Sequence, residues 1–370
     1  MSLELGIVPF NDLGRIHRPL LPDFLESLSR LVKDSSLVLG AEVHEYEVAL
    51  AKYEGARFAI GVNNGTNAIE LALRAIDIKP GDEVLIPAFT FVATAFAVAA
   101  MGAIPVLVDV DSKSGLIDLD VVERSISNKT RALLLVTIHG RVDNLSLYRD
   151  FCNAHGLKFV IDGAQSHLGI FEGAGQVNYC DVSTLSFYPG KNLGALGEGG
   201  AVLTNIEEID KKIRLMRDWG AEVKYNHTTW GGNFRLESLQ ASFLRIKLPQ
   251  LDSWTKERQK IAKLYDASIN EKYLMGKVSP SGSHVFHIYA LAVPDRESAV
   301  RTLTEKRVSF GFHYPKAIHQ NPAFRNNVVI RSELSNAEVL AKQTLSIPIF
   351  PKMTDIEIHR VIEAVAAIRA

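Results

Sequence analysis

The sequence predicts an α/β protein: a large, mostly parallel sheet covered by helices on both faces, followed by a smaller α+β domain. Three observations lead there. Apolar, β-rich runs alternate with amphipathic runs through the first two thirds of the 370 residues. The strand-like runs are almost continuously apolar, as strands buried on both faces must be. After about Leu248 the pattern changes to a long charged amphipathic segment and shorter mixed elements. Residues 1–248 therefore read as the large domain and 249–370 as the small one, with the N-terminal segment free to pack on the latter.

Taken in order, "RFAIGV" reads as a strand and "TNAIELALRAI" as a helix opening at an Asn/Thr cap. "DEVLIPAF", "IPVLVDV", "RALLLVTI" and "LKFVIDGA" read as further strands. Between them, the alanine-rich "TFVATAFAVAAMG", "LDVVERSI" and "NLSLYRDFCNAHG" read as helices. Two short strands, "STLSFY" and "GAVLTN", bracket a glycine-rich turn. Beyond them come a long helix in "LPQLDSWTKERQKIAKLYDASI", a strand-like "HVFHIYALAV", a helix in "DRESAVRTLTEKRV", an irregular "GFHYPKAIHQNPAF" and a closing helix in "TDIEIHRVIEAVAAIRA". There is no internal repeat and no low-complexity linker.

A formal net charge of −1 points to neither nucleic acid nor an anionic membrane as partner. Cys152 and Cys180 are far apart and not in CxxC spacing, which argues against a disulfide framework or a zinc site and for a reducing cytoplasm. "MSLELGIVPFNDLG" lacks the basic-then-apolar pattern of a signal peptide. The uncharged Phe89–Val108 stretch imitates a membrane span, but Gly102 and Pro105 interrupt it, and helix followed by buried strand fits better.

The chemistry concentrates around "SFYPGKNLGALGEGG", where Lys191 lies among glycines that let backbone approach a flat ligand closely. A lysine amine becomes a nucleophile in a dry, tight pocket. The alternative is a glycine-rich hairpin whose lysine has no role. Asp162 ends the apolar run "LKFVID", at the carboxyl end of a core strand, where ligands of open α/β sheets bind. A carboxylate there needs a cation, and a protonated pyridine nitrogen is one; a plain helix cap is the alternative. In "NNGTNAIELAL", Asn63 to Asn67 lie between strand and helix, where free amides bind phosphate or merely cap. Ser186 is close enough in sequence to Lys191 to reach the same phosphate. Phe91, at the start of a helix, either stacks on a flat ring or fills the core. Phosphate-loop and dinucleotide glycine motifs are absent. His313 and His319 in "HYPKAIH" lack the carboxylate-rich partners of a metal site, so no metal is expected.

Phosphate cradle, aromatic, strand-end Asp and embedded Lys follow one another in the order used by pyridoxal 5'-phosphate (PLP) enzymes of aminotransferase fold type I. The chain resembles the DegT/StrS family of nucleotide-sugar aminotransferases in "GTNAIELALRA", "GDEVLIPAFTFVATA", "FVIDGAQSHLG", "LSFYPGKNLGALGEGGAVLTN", "GGNFRLESLQASFLRIKLPQLDSW" and "GFHYPKAIHQNPAF". The resemblance implies a seven-stranded, mostly parallel sheet in a large PLP-binding domain. It implies Lys191 as the Schiff-base lysine and proton carrier, Asp162 on the pyridine nitrogen, Gln165 near the ring hydroxyl and Phe91 stacked on the ring. Gly65, Thr66, Asn67 and Ser186 would hold the phosphate. Asn233 would reach the phosphate of the neighbouring subunit's cofactor, which implies a homodimer with shared sites. Arg235, Tyr314 and His319 would line the sugar-nucleotide side. The family often reads His-Leu-Tyr-Gly-Gln where this chain has "TIHGR", so Thr137 and His139 replace the usual His and Tyr; Ile161 and Gly163 also depart, in positions where Glu and Ala are frequent.

The implied reaction is ping-pong transfer of the amine of glutamate to a keto group of a nucleotide-linked deoxysugar. "GGNFRLESLQASFLRIKL" resembles the variants acting at sugar C3, on a dTDP-3-keto-6-deoxyhexose. The alternatives are a C4-specific aminotransferase, a dehydratase of the same fold, against which Lys191 argues because those relatives typically carry histidine there, and a non-catalytic PLP-binding regulator, for which no DNA-binding domain or basic patch speaks.

Overall fold

The computed structural model describes residues 6–368. Eight strands form the central sheet: β1 (Phe58–Val62), β2 (Glu83–Pro87), β3 (Ile104–Val108), β4 (Thr130–Val136), β5 (Lys158–Asp162), β6 (Val182–Ser186), β7 (Gly200–Thr204) and β8 (Val329–Ile330). Their spatial order is β1-β7-β6-β5-β4-β2-β3-β8. Only β7 runs against the rest, pairing antiparallel with both β1 and β6. The run Leu133 to Leu135, like Val84 to Ile86, is fully buried, which is why these strands carry no alternating polar residues. The eighth strand was not foreseen. It has two residues, too few to show a period, and arrives from the C-terminal third to pair with β3.

Two N-terminal helices also escaped the sequence pattern. α1 (Leu21–Asp34) buries Phe24 and Leu31 yet leaves Leu21, Leu25, Leu28 and Val32 exposed. Apolar residues on both sides blur the 3.6 period. α2 (Ala41–Glu54) buries three acids, Glu42, Glu47 and Glu54, on its inner face. Glu47 is affordable there because Arg214 and Arg217 pair with it and the Gly61 amide donates to it at 2.8 Å.

The helices flanking the sheet form as the sequence predicts. α3 (Gly65–Ala75) starts where the Asn64 side chain accepts the Asn67 amide at 2.8 Å. α4 (Val92–Ala100) follows Phe91 and leads to β3, so the span-like stretch is helix plus strand. No helix among the described residues is long and apolar enough to cross a membrane.

A second apolar core gathers Val8 with Ile261, Tyr265, Leu291, Leu345, Phe350 and Val361. Around it lie the helices Leu251–Ser268, Arg296–Glu305 and Asp355–Ala366 and the antiparallel pair Tyr289–Ala292 with Thr344–Ile347. Within "HVFHIYALAV" only the second half joins that pair; Ser283–His284 instead pairs with Arg141–Val142 beside the large sheet. The chain past Leu248 does not keep to one core, since Ala317, Ile318, Phe324, Leu334 and Leu340 pack into the core of the central sheet.

Candidate active site

Four strand ends and two helix starts converge on one place. Register sets it: Val136 of β4 lies opposite Asp162 of β5, and Asp162 opposite Thr184 of β6. The carboxyl ends of three adjacent parallel strands thus lie level, in the crevice where open α/β sheets bind ligands.

Lys191 sits in the hairpin between β6 and β7. The turn is drawn tight by the Lys191 amide donating to the Tyr188 carbonyl at 2.8 Å and the Ala195 amide to Phe187 at 2.7 Å. Gly194 is required there, because a Cβ would stand 2.2 Å from the Pro189 carbonyl oxygen. The Lys191 amine is desolvated, which lowers its pKa to about 8, with the Asp162 carboxylate partly opposing the shift.

Asp162 is buried. Its Oδ2 accepts from Thr94 Oγ1 at 3.0 Å and its Oδ1 from the Ala164 amide at 3.1 Å. Burial raises its pKa, against those two hydrogen bonds and the charge of Lys191. Among the described residues, no cation balances this carboxylate apart from the through-space influence of Lys191, so the site suits one more positive charge.

The first turn of α3 faces the end of β6. Gly65 meets Ser186 so closely that a Cβ would lie 2.7 Å from the Ser186 Cβ. This brings the Gly65, Thr66 and Asn67 segment and the Ser186 hydroxyl into one cradle at a helix N-terminus, the geometry that suits a phosphate. Asn63 closes the cradle, accepting from Asn67 Nδ2 at 2.9 Å.

Phe91 is 51% exposed rather than packed in the core, and its ring lies 5.3 Å from that of Tyr314, tilted by 35°. The Tyr314 hydroxyl accepts from Gln165 Nε2 at 2.9 Å, and Gln165 Oε1 accepts the His139 amide. Tyr314, Gln165, Phe91 and Asp162 thus belong to one constellation. The remaining residues make no side-chain contact with these four among the described residues. Arg235 forms an ion pair with Asp218 at 2.7 Å, and its backbone bridges Val62 just before the cradle. His319 faces Glu338 at 2.8 Å. The Asn233 side chain is exposed, while its carbonyl accepts from Asn63 Nδ2 of the same chain at 3.4 Å.

Sequence reasoning missed several groups. Thr94, three residues after Phe91 and so on the same face of α4, holds Asp162; that spacing was readable. His167 is fully buried, its Nε2 donating to the Ser186 carbonyl at 2.9 Å and its Nδ1 without a partner among the described residues. Burial and the charge of Lys191 push it down to about 3, so the ring is neutral. Of the departures, Thr137 donates to the Asp162 carbonyl at 3.2 Å, and His139 Nε2 donates to the His313 carbonyl at 2.8 Å.

A parallel sheet with a lysine hairpin, a strand-end carboxylate and a helix-capped phosphate cradle defines the class: a PLP-dependent aminotransferase of fold type I. The chain belongs to the DegT/DnrJ/EryC1/StrS aminotransferase family, whose model matches residues 21–366. It is 36% identical over 364 residues to the dTDP-3-amino-3,4,6-trideoxy-alpha-D-glucose transaminase of Streptomyces venezuelae, covering 98% of this chain and 96% of that one. It is 35% identical over 363 residues to a pleiotropic regulatory protein of Geobacillus stearothermophilus, covering 97% and 98%. Among solved structures, that of ntda from Bacillus subtilis with bound cofactor PMP superposes with a TM-score of 0.91 at 28% identity, covering 99% of this chain and 86% of the other.

Proposed function

We propose that this aminotransferase binds PLP and moves the amino group of glutamate to the C3 keto group of a nucleotide-linked deoxysugar, a dTDP-3-keto-6-deoxyhexose. The observation that carries the reading is a desolvated amine, Lys191, in the hairpin that follows β6, under the charge of Asp162, a buried carboxylate lacking a full counter-ion at the end of the neighbouring β5. PLP, when bound, supplies a carbonyl for the Lys191 amine and a ring that takes up electrons.

The chain's own residues do the rest. Gly65, Thr66, Asn67 and Ser186 would hold the phosphate, Phe91 would cover one ring face, and Gln165, fixed by Tyr314 and His139, would face the ring hydroxyl. Asp162, held by Thr94, would keep a proton on the ring nitrogen. Lys191 Nζ would carry the proton between the two carbons that flank the transferred nitrogen; a pKa of about 8 leaves part of the amine neutral near pH 7. Arg235, Tyr314 and His319 are assigned to the sugar-nucleotide side, with Tyr314 best supported by its contact with Gln165. The relative named as a dTDP-3-amino sugar transaminase supports nucleotide sugar and C3, and the PMP-bound structure supports the cofactor. The relative named as a regulator does not change the reading, because this chain carries both Lys191 and Asp162.

The protein acts as a homodimer with shared sites. Val223 and Tyr225, the latter 83% exposed, project on the hairpin Ala221–Val223/Asn226–His227 between half-exposed Trp219 and Trp230, just before Asn233. With the exposed Leu21, Leu25, Leu28 and Val32 of α1, that is much apolar surface for one copy to leave in water. The test is incubation with glutamate and a panel of keto-sugar nucleotides: amination confined to 3-keto-6-deoxy sugars supports the reading, and turnover of 4-keto sugars alone overturns the C3 assignment.

A further inference from the structure

A cavity of about 280 Å³, whose lining does not include Lys191, is lined by His139 and Arg141 after β4 and by residues from the segment 274–290. Its floor is unusual. Arg141 is 4% exposed; its Nη2 donates to the Gly276 carbonyl and its Nη1 has no partner among the described residues. Two carboxylates, Asp111 and Asp143, act on Arg141 through space. Both are engaged elsewhere: Asp111 accepts from the Ser114 amide and hydroxyl, and Asp143 from the Ser279 amide and hydroxyl. A guanidinium does not give up its proton, so burial without a bonded counter-ion is costly. His284 adds a ring to the wall and exposed Lys277 a second cation at the mouth. The acid in the lining, Asp266, is exposed and accepts the Tyr289 hydroxyl at 2.6 Å.

We propose that Arg141 and this cavity form a binding site for a small anion carrying a phosphoryl or carboxylate group, separate from the candidate active site. Such an anion supplies the counter-charge that the buried guanidinium lacks. The volume suits a phosphate or a short carboxylic acid and is too small for a nucleotide sugar. The site is also one residue from the catalytic constellation. His139, in the same lining, donates its amide to Gln165 and its Nε2 to the His313 carbonyl, so the occupant braces the segment that fixes Gln165.

The test uses protein saturated with PLP, so that the phosphate cradle of the active site is already filled. Inorganic phosphate and, separately, succinate are titrated while thermal unfolding and heat of binding are followed, with chloride at matched ionic strength as control. We expect saturable binding of at least one probe, weakened about tenfold or more in Arg141→Gln, the scale of losing a charged hydrogen-bonded pair. Phosphate alone points to a phosphoryl ligand and succinate alone to a carboxylate. Lys277→Glu, at the exposed rim, should weaken binding several-fold, and it decides the matter if the arginine variant does not fold. No saturable binding, equal effects from chloride, or unchanged affinity in the variants overturns the proposal.

Discussion

Two lysines in this molecule have desolvated amines, and comparing their surroundings separates chemistry from structure. Lys191 lies in the β6–β7 hairpin; Lys247 ends the helix Ser238–Lys247 and is 1% exposed. Desolvation lowers both, Lys191 to about 8 and Lys247 to about 7. The more strongly perturbed amine is the one with no proposed reaction. Lys247 Nζ donates to the Gly194 carbonyl and lies 3.0 Å from His17 Nε2, with no carboxylate raising it. Lys191 instead faces Asp162. A lowered amine is therefore no mark of a nucleophile by itself; convergence with a carboxylate and a phosphate cradle is. The two are also connected. Gly194 belongs to the turn that carries Lys191, so Lys247 braces the loop of the proposed Schiff-base lysine.

The sharpest break in the comparison is deletion of each amine. Lys191→Ala should lose the visible absorbance expected near ~400–430 nm and on the order of a thousandfold or more in transamination rate. Lys247→Met should keep the colour. A coloured Lys191→Ala protein in which borohydride fixes the cofactor to Lys247 would reverse the roles assigned here. Cofactor recapture by the stripped protein adds a pH signature. Only a neutral amine attacks, so the rate should rise with pH and level off above about 8, not above the 10.5 of an ordinary lysine.

Asp162→Asn removes the feature that distinguishes the Lys191 environment while leaving its burial intact. The fold should survive, and the rate should fall roughly a hundredfold or more, the scale of losing one electrostatic stabiliser. Near wild-type turnover would mean that the ring nitrogen is held elsewhere.

How far the sequence discloses these environments follows from the reach of each signal. Asp162 and Lys191 were legible because each closes a short pattern, an apolar strand or a glycine-rich turn. Phe91 and the cradle from Gly65 to Asn67 were legible because helix starts are written in two or three residues. Lys247 was not, since it ends an amphipathic helix like any solvated lysine, and its burial comes from Gly194 and His17, 53 and 230 residues away. His167 went unread for the same reason, and Thr137 was read only as a departure from the family pattern: their partners Ser186 and Asp162 lie on strands remote in sequence. In the fold, α2 was hidden by buried acids, among them Glu47, whose arginines lie about 170 residues away on the helix Glu207–Arg217.

Asn233 probes whether the Lys191 site belongs to one chain or two. Its side chain points to solvent, as a residue meant for a neighbour would. Its carbonyl touches Asn63 of its own cradle, so the exposed amide is the part left to serve the partner. Asn233→Ala should weaken PLP retention by about one to two decades, the worth of a hydrogen bond to a charged oxygen. Mixing inactive Lys191→Ala and Asn233→Ala dimers under subunit exchange should restore activity, since one site of each mixed dimer is then intact in both positions. Mixed dimers without recovery would place Asn233 in its own subunit's site or in none.

The smallest expected effect concerns Lys247 itself, and it appears in stability rather than turnover. The unfolded amine titrates near its ordinary 10.5 and the folded one near about 7. Between those values the unfolded chain binds more protons, so this residue's contribution rises with pH across that window and is lost as pH falls toward 7. Lys247→Met removes the titration and fills the space with an unbranched apolar chain of similar length. Its stability relative to wild type should therefore improve as pH falls from about 10 to about 7, by on the order of 3 kcal/mol at most. The lost hydrogen bond to Gly194 sets a roughly constant offset of about 1–3 kcal/mol against the variant. Activity should stay within about threefold of wild type if Gly194 is held mainly by its own turn. Chemical unfolding of both proteins at a series of pH values reads the slope directly. Parallel stability curves would show that the Lys247 amine titrates as if solvated, and the contrast between the two lysines would then rest on Asp162 alone.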